Sequence, residues 1–231
     1  MDRLTRKELK TDKFAVEVEH TFEYVSAHRR DIVRYGSLGL AVALIAGGVW
    51  YHFSRQKAGR QRDLAEALQV EGAPVGASTP WAQSFPTQQA KHAEAIKRFA
   101  GVASKYSGTE EGLIAATYLG AIQAEEGRLA EAEKSFKLVA DSGNRDYGSL
   151  AQLSLAQIYF SSNRAALGEK VLRSLIENPT VFVSKEQATV ALARALAATK
   201  PAEARKLLES LKGERQAVSQ IALTLLAELP Q

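Results

Sequence analysis

Hydrophobic residues form one continuous run early in this chain and recur at helical intervals elsewhere. The run, residues 35–53, reads YGSLGLAVALIAGGVWYHF and contains nineteen residues without a formal charge. An α-helix needs about 20 such residues to cross the hydrocarbon core of a bilayer. Aromatic residues stand at both ends of the run, as is typical of the two membrane–water interfaces. The pattern therefore predicts one transmembrane helix over residues 35–53.

The residues around this run favour a retained anchor over a cleaved signal peptide. A cleaved signal has a short basic start and a small-residue cleavage site. Here 34 residues precede the run, seven of them acidic, and the run ends in WYHF. Basic residues lie on both sides, so their distribution does not decide the orientation of the helix. They are Arg29, Arg30 and Arg34 before the run, and Arg55, Lys57, Arg60 and Arg62 after it.

A stripe of small residues runs along the predicted span. Gly39, Ala43 and Gly47 are spaced four apart, a spacing that lets two helix backbones approach closely. The stripe predicts transmembrane packing with a second copy or with another membrane subunit. Ordinary glycine and alanine facing lipid is the alternative interpretation.

The segments on either side of the span also carry helical patterns. In residues 1–34, a capping box at 5–8 precedes apolar residues on one helical face, which predicts an amphipathic juxtamembrane helix. It would lie on the membrane or contact a partner, and a helix without special role is the alternative. Residues 54–86 predict a linking helix followed by a loop rich in Gly and Pro. Trp81 and Phe85 in this loop are expected to pack against helices, with ligand binding as the alternative.

Residues 87–231 contain a repeat of 36 residues. The first copy places apolar and turn residues in the order Gly120, Gly127, Ala132, Phe136, Val139. The next copies read Ala156, Asn163, Gly168, Leu172, Leu175 and then Leu192, Thr199, Ala204, Leu208, Leu211, and a partial earlier copy reads Ala95, Phe99, Val102. Repeats of this length stack supersecondary units side by side. The pattern predicts an all-α solenoid of helix pairs, in which small residues mark the crossing of two helices.

Local signals set the ends of several predicted helices. Gly127 and Asn163 are expected in the left-handed conformation between the two helices of a pair. Asn178-Pro179 is expected to end one helix, and Ser184 with Gln187 to start the next. A final helix over 213–229 is expected to close the stack with the apolar series Val218, Ile221, Leu225 and Leu229.

Two segments of the repeat region resemble a tetratricopeptide repeat. In LGAIQAEEGRLAEAEKSF (119–136), Leu119-Gly120, Ala132 and Phe136 match the motif, and LAQIYFSSNRAALGEKVL (155–172) matches with Ala156, Tyr159 and Gly168. The layout also resembles the single-span tetratricopeptide family that includes the ancillary subunit of the bacterial Sec translocon. This resemblance implies a bacterial inner (cytoplasmic) membrane protein with a cytoplasmic N-terminus and a periplasmic repeat domain. It also implies a link to protein secretion and periplasmic chaperones.

Charge and composition exclude several function classes. The net charge of +4 is concentrated around the span, because residues 1–62 carry +5 and the rest of the chain carries −1. This distribution favours contact with lipid headgroups over nucleic-acid binding. The chain has no cysteine, and its four histidines show no metal-binding spacing. We therefore expect no catalytic residues, cofactor or metal, and no enzyme.

The expected function is a membrane-anchored scaffold for protein partners, in secretion or envelope-protein maturation. The candidate binding surface is the concave face, lined by residues of the first helix in each pair. These are Thr117, Tyr118, Ala121, Leu153, Gln157, Phe160, Thr189 and Ala193. The resemblance would place a peptide-carboxylate clamp of Lys and Asn at four of these positions, which are neutral here. The surface is thus expected to bind extended or helical protein segments, from the translocon, chaperones or envelope proteins. Self-association stays open, as does the alternative of a structural subunit in a larger membrane complex.

Overall fold

The computed structural model describes residues 29–76, 84–214 and 216–229. Within these ranges the chain forms nine α-helices and no strand, which confirms the all-α fold. They are α1 (Arg29–Glu71), α2 (Gln88–Lys105), α3 (Glu110–Glu125), α4 (Leu129–Ala140), α5 (Arg145–Ser161), α6 (Ala165–Glu177), α7 (Lys185–Leu196), α8 (Pro201–Glu209) and α9 (Gln216–Glu228). The amphipathic helix predicted before the span falls almost entirely on residues 1–28, and with Trp81 it lies outside the described residues.

Helix α1 contributes to two compact units, which divide between Ala58 and Gly59. In the first unit, the side chains of residues 33–58 are solvent-exposed in the isolated chain. Val33–Glu71 includes an apolar window long enough to cross a membrane, and it is the one such segment in the described part of the chain. Exposed apolar side chains such as Leu44 and Trp50 are stable only where another apolar phase covers them.

The second unit, from Gly59 onward, is a stack of helix pairs. The last turns of α1 bury Leu64, Ala67 and Val70 in one apolar cluster with α2, α3 and α4. Asp63 Oδ2 accepts hydrogen bonds from the Lys105 ammonium at 2.8 Å and the Tyr106 hydroxyl at 2.7 Å. The pairs are thus the end of α1 with α2, then α3 with α4, α5 with α6, and α7 with α8. Helix α9 follows the last pair.

The burial of the second helix in each pair confirms the predicted repeat. A small residue is followed four and seven positions later by two larger apolar residues, and all three are buried. The four sets are Ala95, Phe99, Val102; Ala132, Phe136, Val139; Gly168, Leu172, Leu175; and Ala204, Leu208, Leu211. Burying each large side chain contributes about 1.5–3 kcal/mol to folding. The first two sets lie in one apolar cluster of the stack, and the large residues of the last two sets lie in a second cluster.

Small residues lie where helices approach most closely, with one difference from the sequence prediction. A Cβ added to Gly168 would lie 3.0 Å from the Ala156 carbonyl oxygen and 2.6 Å from the Phe160 ring. The predicted crossing of Gly168 with Ala156 is therefore present. At Gly120, however, the nearest atoms belong to the Phe136 ring, 3.0 Å from an added Cβ, rather than to Ala132. The large ring fills the space that a side chain at Gly120 would need.

Helix ends follow the predicted turn signals. Gly127 and Asn163 adopt φ values of +75° and +57°, as expected for left-handed turn residues. Helix α6 ends at Glu177, directly before Asn178-Pro179. The Ser184 hydroxyl accepts a hydrogen bond of 3.2 Å from the Gln187 N–H and so caps the start of α7.

The final helix packs onto the end of the stack, with one exception in its predicted apolar series. It begins at Gln216, three residues later than expected, and Val218, Leu225 and Leu229 pack in or against the second apolar cluster. Ala222 and Leu229 are buried, but the Ile221 side chain is 44% exposed. Apolar residues of α9 extend beyond the side that packs onto the stack, so Ile221 and Leu223 stay exposed.

Candidate protein-binding surface

The first helices of successive pairs lie on the same side of the stack. Helix α3 approaches α5 directly, and α7 approaches α9, although each also packs against its neighbours in the chain. Solenoids of helix pairs use an extended surface of this kind for binding. The eight residues of the predicted surface come from α3, α5 and α7.

Helix α3 supplies an exposed aromatic ring to this surface. Tyr118 is 40% exposed, and its ring stacks on that of Phe99 with centroids 5.1 Å apart and planes within 8°. Phe99 is fully buried, so Tyr118 rests on a fixed apolar base. Thr117 and Ala121 on the same helix are half-buried, and the Thr117 hydroxyl donates to the Leu113 carbonyl at 2.8 Å. The Tyr118 ring is therefore the main feature that α3 offers to a partner.

Helix α5 presents one polar and one apolar residue. Gln157 is exposed, and Phe160 is half-buried with its ring packed over Gly168. Leu153, in contrast, is buried in the second apolar cluster of the stack. The accessible strip of α5 is thus narrow, because this helix packs against neighbours on both sides.

Helix α7 contributes its predicted residues mainly to the core. Ala193 is almost fully buried, and Thr189 is buried with its hydroxyl donating to the Lys185 carbonyl at 2.8 Å. Like Leu153, these two residues lie beneath the surface and pack in the interior of the stack. Five of the eight predicted residues therefore stay accessible: Thr117, Tyr118, Ala121, Gln157 and Phe160.

Comparison with known families agrees with this arrangement. A family model described as a tetratricopeptide repeat-like domain matches residues 31–174, more than half of the chain. The chain belongs to this family. No curated protein and no solved structure matches this chain. Tetratricopeptide repeat-like domains mediate protein–protein interaction, so this chain is a protein-interaction module.

Ion pairs between second helices stabilise the tetratricopeptide repeat-like stack and were not expected from the sequence. Lys200 bridges from the start of α8 to Glu169 on α6 at 2.8 Å, and Arg173 on α6 reaches Glu203 on α8 at 2.6 Å. The partners are 30 or 31 residues apart. Opposite charges separated by slightly less than the 36-residue repeat can join neighbouring second helices. In the sequence, such a separation is a detectable but weak sign of an ion pair.

The contacts that hold the loop between α6 and α7 were also not predicted from the sequence. The Asp146 carboxylate accepts a hydrogen bond from the Val181 N–H at 3.3 Å, and the Arg145 guanidinium donates to the Pro179 carbonyl at 3.1 Å. The hydroxyls of Ser149 and Thr180 lie 2.6 Å apart. The start of α5 thus fixes this loop in the repeat-like domain and leaves the Val181 side chain in solvent.

A network of two cations surrounds the Glu133 carboxylate. Its carboxylate accepts two hydrogen bonds from the Arg164 guanidinium, at 3.2 and 2.6 Å, and pairs with Lys137 at 2.8 Å. Arg164 and then Lys137 lower the pKa of Glu133 to about 2. The Arg164 guanidinium also lies 4.7 Å from the centre of the Tyr159 ring. Glu133 therefore ties α4 to the turn before α6.

We expect Arg164→Gln to destabilise the domain in a pH-dependent way. A lowered carboxyl pKa stabilises the folded state above pH 4.5, and this contribution is lost as the pH falls towards 2. Because Arg164 is partly exposed, solvent screening should keep the loss at pH 7 small. Chemical denaturation at pH 7 and pH 3 checks this, with Lys134→Gln on α4 as control. A difference from wild type that does not shrink at pH 3 would contradict it.

The described residues show no cluster suited to metal binding. No group of three or more His, Asp or Glu side chains among them could hold a metal ion. His92 is buried, with Gln88 Nε2 at 2.7 Å and the carboxylates of Glu125 and Glu126 at 3.7 and 3.5 Å. His92 thus links α2 to the end of α3, which is a structural role in the repeat-like domain.

Proposed function

We propose that this chain is a membrane-anchored scaffold that holds a protein partner beside the bilayer. Two observations support the proposal: the apolar segment of α1, long enough to cross a membrane, and the tetratricopeptide repeat-like domain that follows it. In this proposal residues 35–53 anchor the chain, and the repeats over 87–231 bind the partner. The basic residues flanking the anchor contact lipid headgroups.

The binding surface in this proposal is the accessible part of α3 and α5. Tyr118 carries the argument, because an exposed aromatic ring held by a buried one loses little conformational freedom when a partner covers it. Gln157 offers both a hydrogen-bond donor and an acceptor, and Phe160 adds apolar area. These residues carry no charge, so the surface fits an extended or helical segment rather than a charged peptide terminus.

The cellular setting rests on the resemblance to the single-span tetratricopeptide family. That resemblance supports a place in the bacterial inner membrane, with a cytoplasmic N-terminus and a periplasmic repeat domain. The partner in this setting is the Sec translocon, a periplasmic chaperone or an envelope protein during maturation. The neutral, mildly apolar surface agrees with clients that are not yet folded.

A photo-crosslinking amino acid in place of Tyr118 or Gln157 tests the scaffold directly. We expect each variant to capture a defined protein in living cells, because both side chains point to solvent on the proposed surface. Leu138 on α4 is the matched control, since it is 46% exposed and belongs to a second helix. Mass spectrometry of the crosslinked bands identifies the partner.

The outcome separates three cases. Capture of translocon or chaperone proteins from Tyr118 and Gln157, but not from Leu138, supports both the surface and its setting. Capture of unrelated proteins keeps the scaffold and removes the setting. Equal capture from all three positions, or only lipid adducts, would overturn the proposed surface.

A structural subunit of a larger membrane complex is the alternative, and one observation favours it. Among the described residues, no atom outside the backbone of α1 lies within 4 Å of a Cβ added to Gly39 or Gly47, so the stripe with Ala43 is free to pack against another helix. Under this alternative the chain runs in a complex of high mass on native gels while Tyr118 and Gln157 capture nothing.

A further inference from the structure

Helix α9 exposes apolar side chains that no described residue covers. Its sequence, QAVSQIALTLLAE, has no charged residue before Glu228. Ala222 is buried against the stack, while the side chains of Ile221 and Leu223 are 44% and 53% exposed. The polar residues of α9, Gln216, Ser219, Gln220, Thr224 and Glu228, share one side of the helix, and Ile221 lies at the edge of that side.

A cleft lies between this helix and α7. Its volume is about 700 Å³, enough for several large side chains. Apolar residues from three helices form much of its lining: Ala193, Ala197, Leu208, Ile221 and Leu225. The cleft therefore has the size and lining of a seat for one face of a helix.

The cleft carries one charge of each sign. Arg194 of α7 and Glu228 of α9 both line it, and both are exposed. Neither forms an ion pair with another described residue. A surface that holds one unpaired cation and one unpaired anion complements a copy of itself when the two copies are related by a two-fold axis.

We propose that the cleft binds α9 of a second copy of this chain, which gives a two-fold dimer at the end of the repeat stack. In this dimer the Ile221 side of each α9 enters the cleft of the other copy. Arg194 of one copy faces Glu228 of the partner subunit, and the reverse pair forms at the same time. Both copies thereby cover apolar surface that each leaves exposed alone.

The pattern of charges favours a second copy over an unrelated helix. An unrelated helix must supply both an acidic and a basic residue at the right spacing, whereas a second copy supplies both by symmetry. This inference rests on the proposed anchor in one respect only: two copies held in one membrane meet at a high effective concentration.

Cysteine crosslinking of the full-length chain tests the dimer without background, because the natural sequence contains no cysteine. We expect Ile221→Cys, purified in detergent or placed in liposomes, to form a disulfide-linked dimer on mild oxidation. Leu138→Cys is the control, since its side chain is 46% exposed on another helix, against 44% for Ile221. The Ile221 variant should crosslink at least about tenfold more than the control.

Charge reversal then distinguishes specific pairing from general association. In the Ile221→Cys background, Arg194→Glu or Glu228→Arg alone should lower the crosslinked fraction about tenfold, because like charges face each other in the dimer. A mixture of the two variants should restore crosslinking, since each mixed pair again joins opposite charges. Circular dichroism confirms that each variant is folded.

Three results would overturn the dimer. They are equal crosslinking at positions 221 and 138, no recovery in the mixture, and crosslinking of Ile221→Cys to another protein in membranes but never to itself. The test is independent of the proposed scaffold surface, because Tyr118 and Gln157 belong to α3 and α5. Loss of the dimer with retained partner capture, or the reverse, therefore shows which of the two proposals fails.

Discussion

Replacing Gly112 by alanine is expected to destabilise the repeat domain severely. A Cβ at this position would lie 2.1 Å from the carbonyl oxygen of Tyr106. The position of the Cβ is set by the backbone of Gly112, and the oxygen is itself a backbone atom. No side-chain rotation can relieve such a contact, so the start of α3 must move away from the end of α2. Overpacking of this kind costs about 3 kcal/mol. For a domain of this size, that lowers the thermal midpoint by roughly 10 °C.

Gly101→Ala is the matched control for this prediction. Gly101 lies inside α2, and no atom lies within 4 Å of an added Cβ. Alanine should stabilise the helix there by about 1 kcal/mol, since glycine is the poorer helix former. Thermal unfolding followed by circular dichroism compares the two variants. An equal shift in both would show that the approach of Gly112 to Tyr106 does not hold the first two pairs together.

Replacing Phe99 by alanine is the second large expected effect. Phe99 is fully buried in the first apolar cluster, where it contacts the exposed ring of Tyr118. Removing a buried phenylalanine side chain costs about 4 kcal/mol, because the cavity is only partly filled by relaxation. The variant should also lose partner capture from position 157 under conditions where the domain stays folded, since the neighbouring Tyr118 ring has lost its base.

Phe182→Ala serves as the control, because Phe182 is large and apolar but 42% exposed. Its ring makes an edge contact with Tyr147 at 5.1 Å, so its removal should cost no more than about 1 kcal/mol. Chemical denaturation of both variants gives the two free energies of unfolding. A cost at Phe99 as small as that at Phe182 would mean that the first cluster is not tightly packed.

The sequence predicts the second helix of each pair better than the first. Residues such as Ala132, Phe136 and Val139 lie on one face of α4, so the 3.6-residue period and the 36-residue repeat reinforce each other. Turn residues were equally predictable, because Gly127 and Asn163 adopt a conformation that few residues tolerate.

The first helices were harder to interpret because they pack on two sides. In α5, Ala151 and Leu155 belong to one apolar cluster, while Leu153 and Ala156 belong to the other. A helix with two buried faces has no single apolar stripe, so its period does not separate surface from core. For this reason Leu153, and likewise Thr189 and Ala193, were expected at the surface but are buried.

The open side of α9 was unpredictable for a different reason. Its apolar series looked suited to closing the stack, yet burial depends on what lies opposite each residue. Ala222 is fully buried against the stack, whereas Ile221, one position earlier, lines the open cleft and is 44% exposed. Hydrophobicity along a single helix does not contain that information.

The division of the core at α5 has a consequence for how the protein can change over time. Two separate sets of buried side chains lie on opposite flanks of α5. A substitution that loosens the packing of one set should therefore have little effect on the packing of the other. Substitutions accumulating around the cleft beside α9 leave the aromatic stack under Tyr118 intact. The two ends of the stack are thus free to accumulate substitutions independently, each under its own selection. Residues of α5 belong to both clusters, so a substitution there affects both ends.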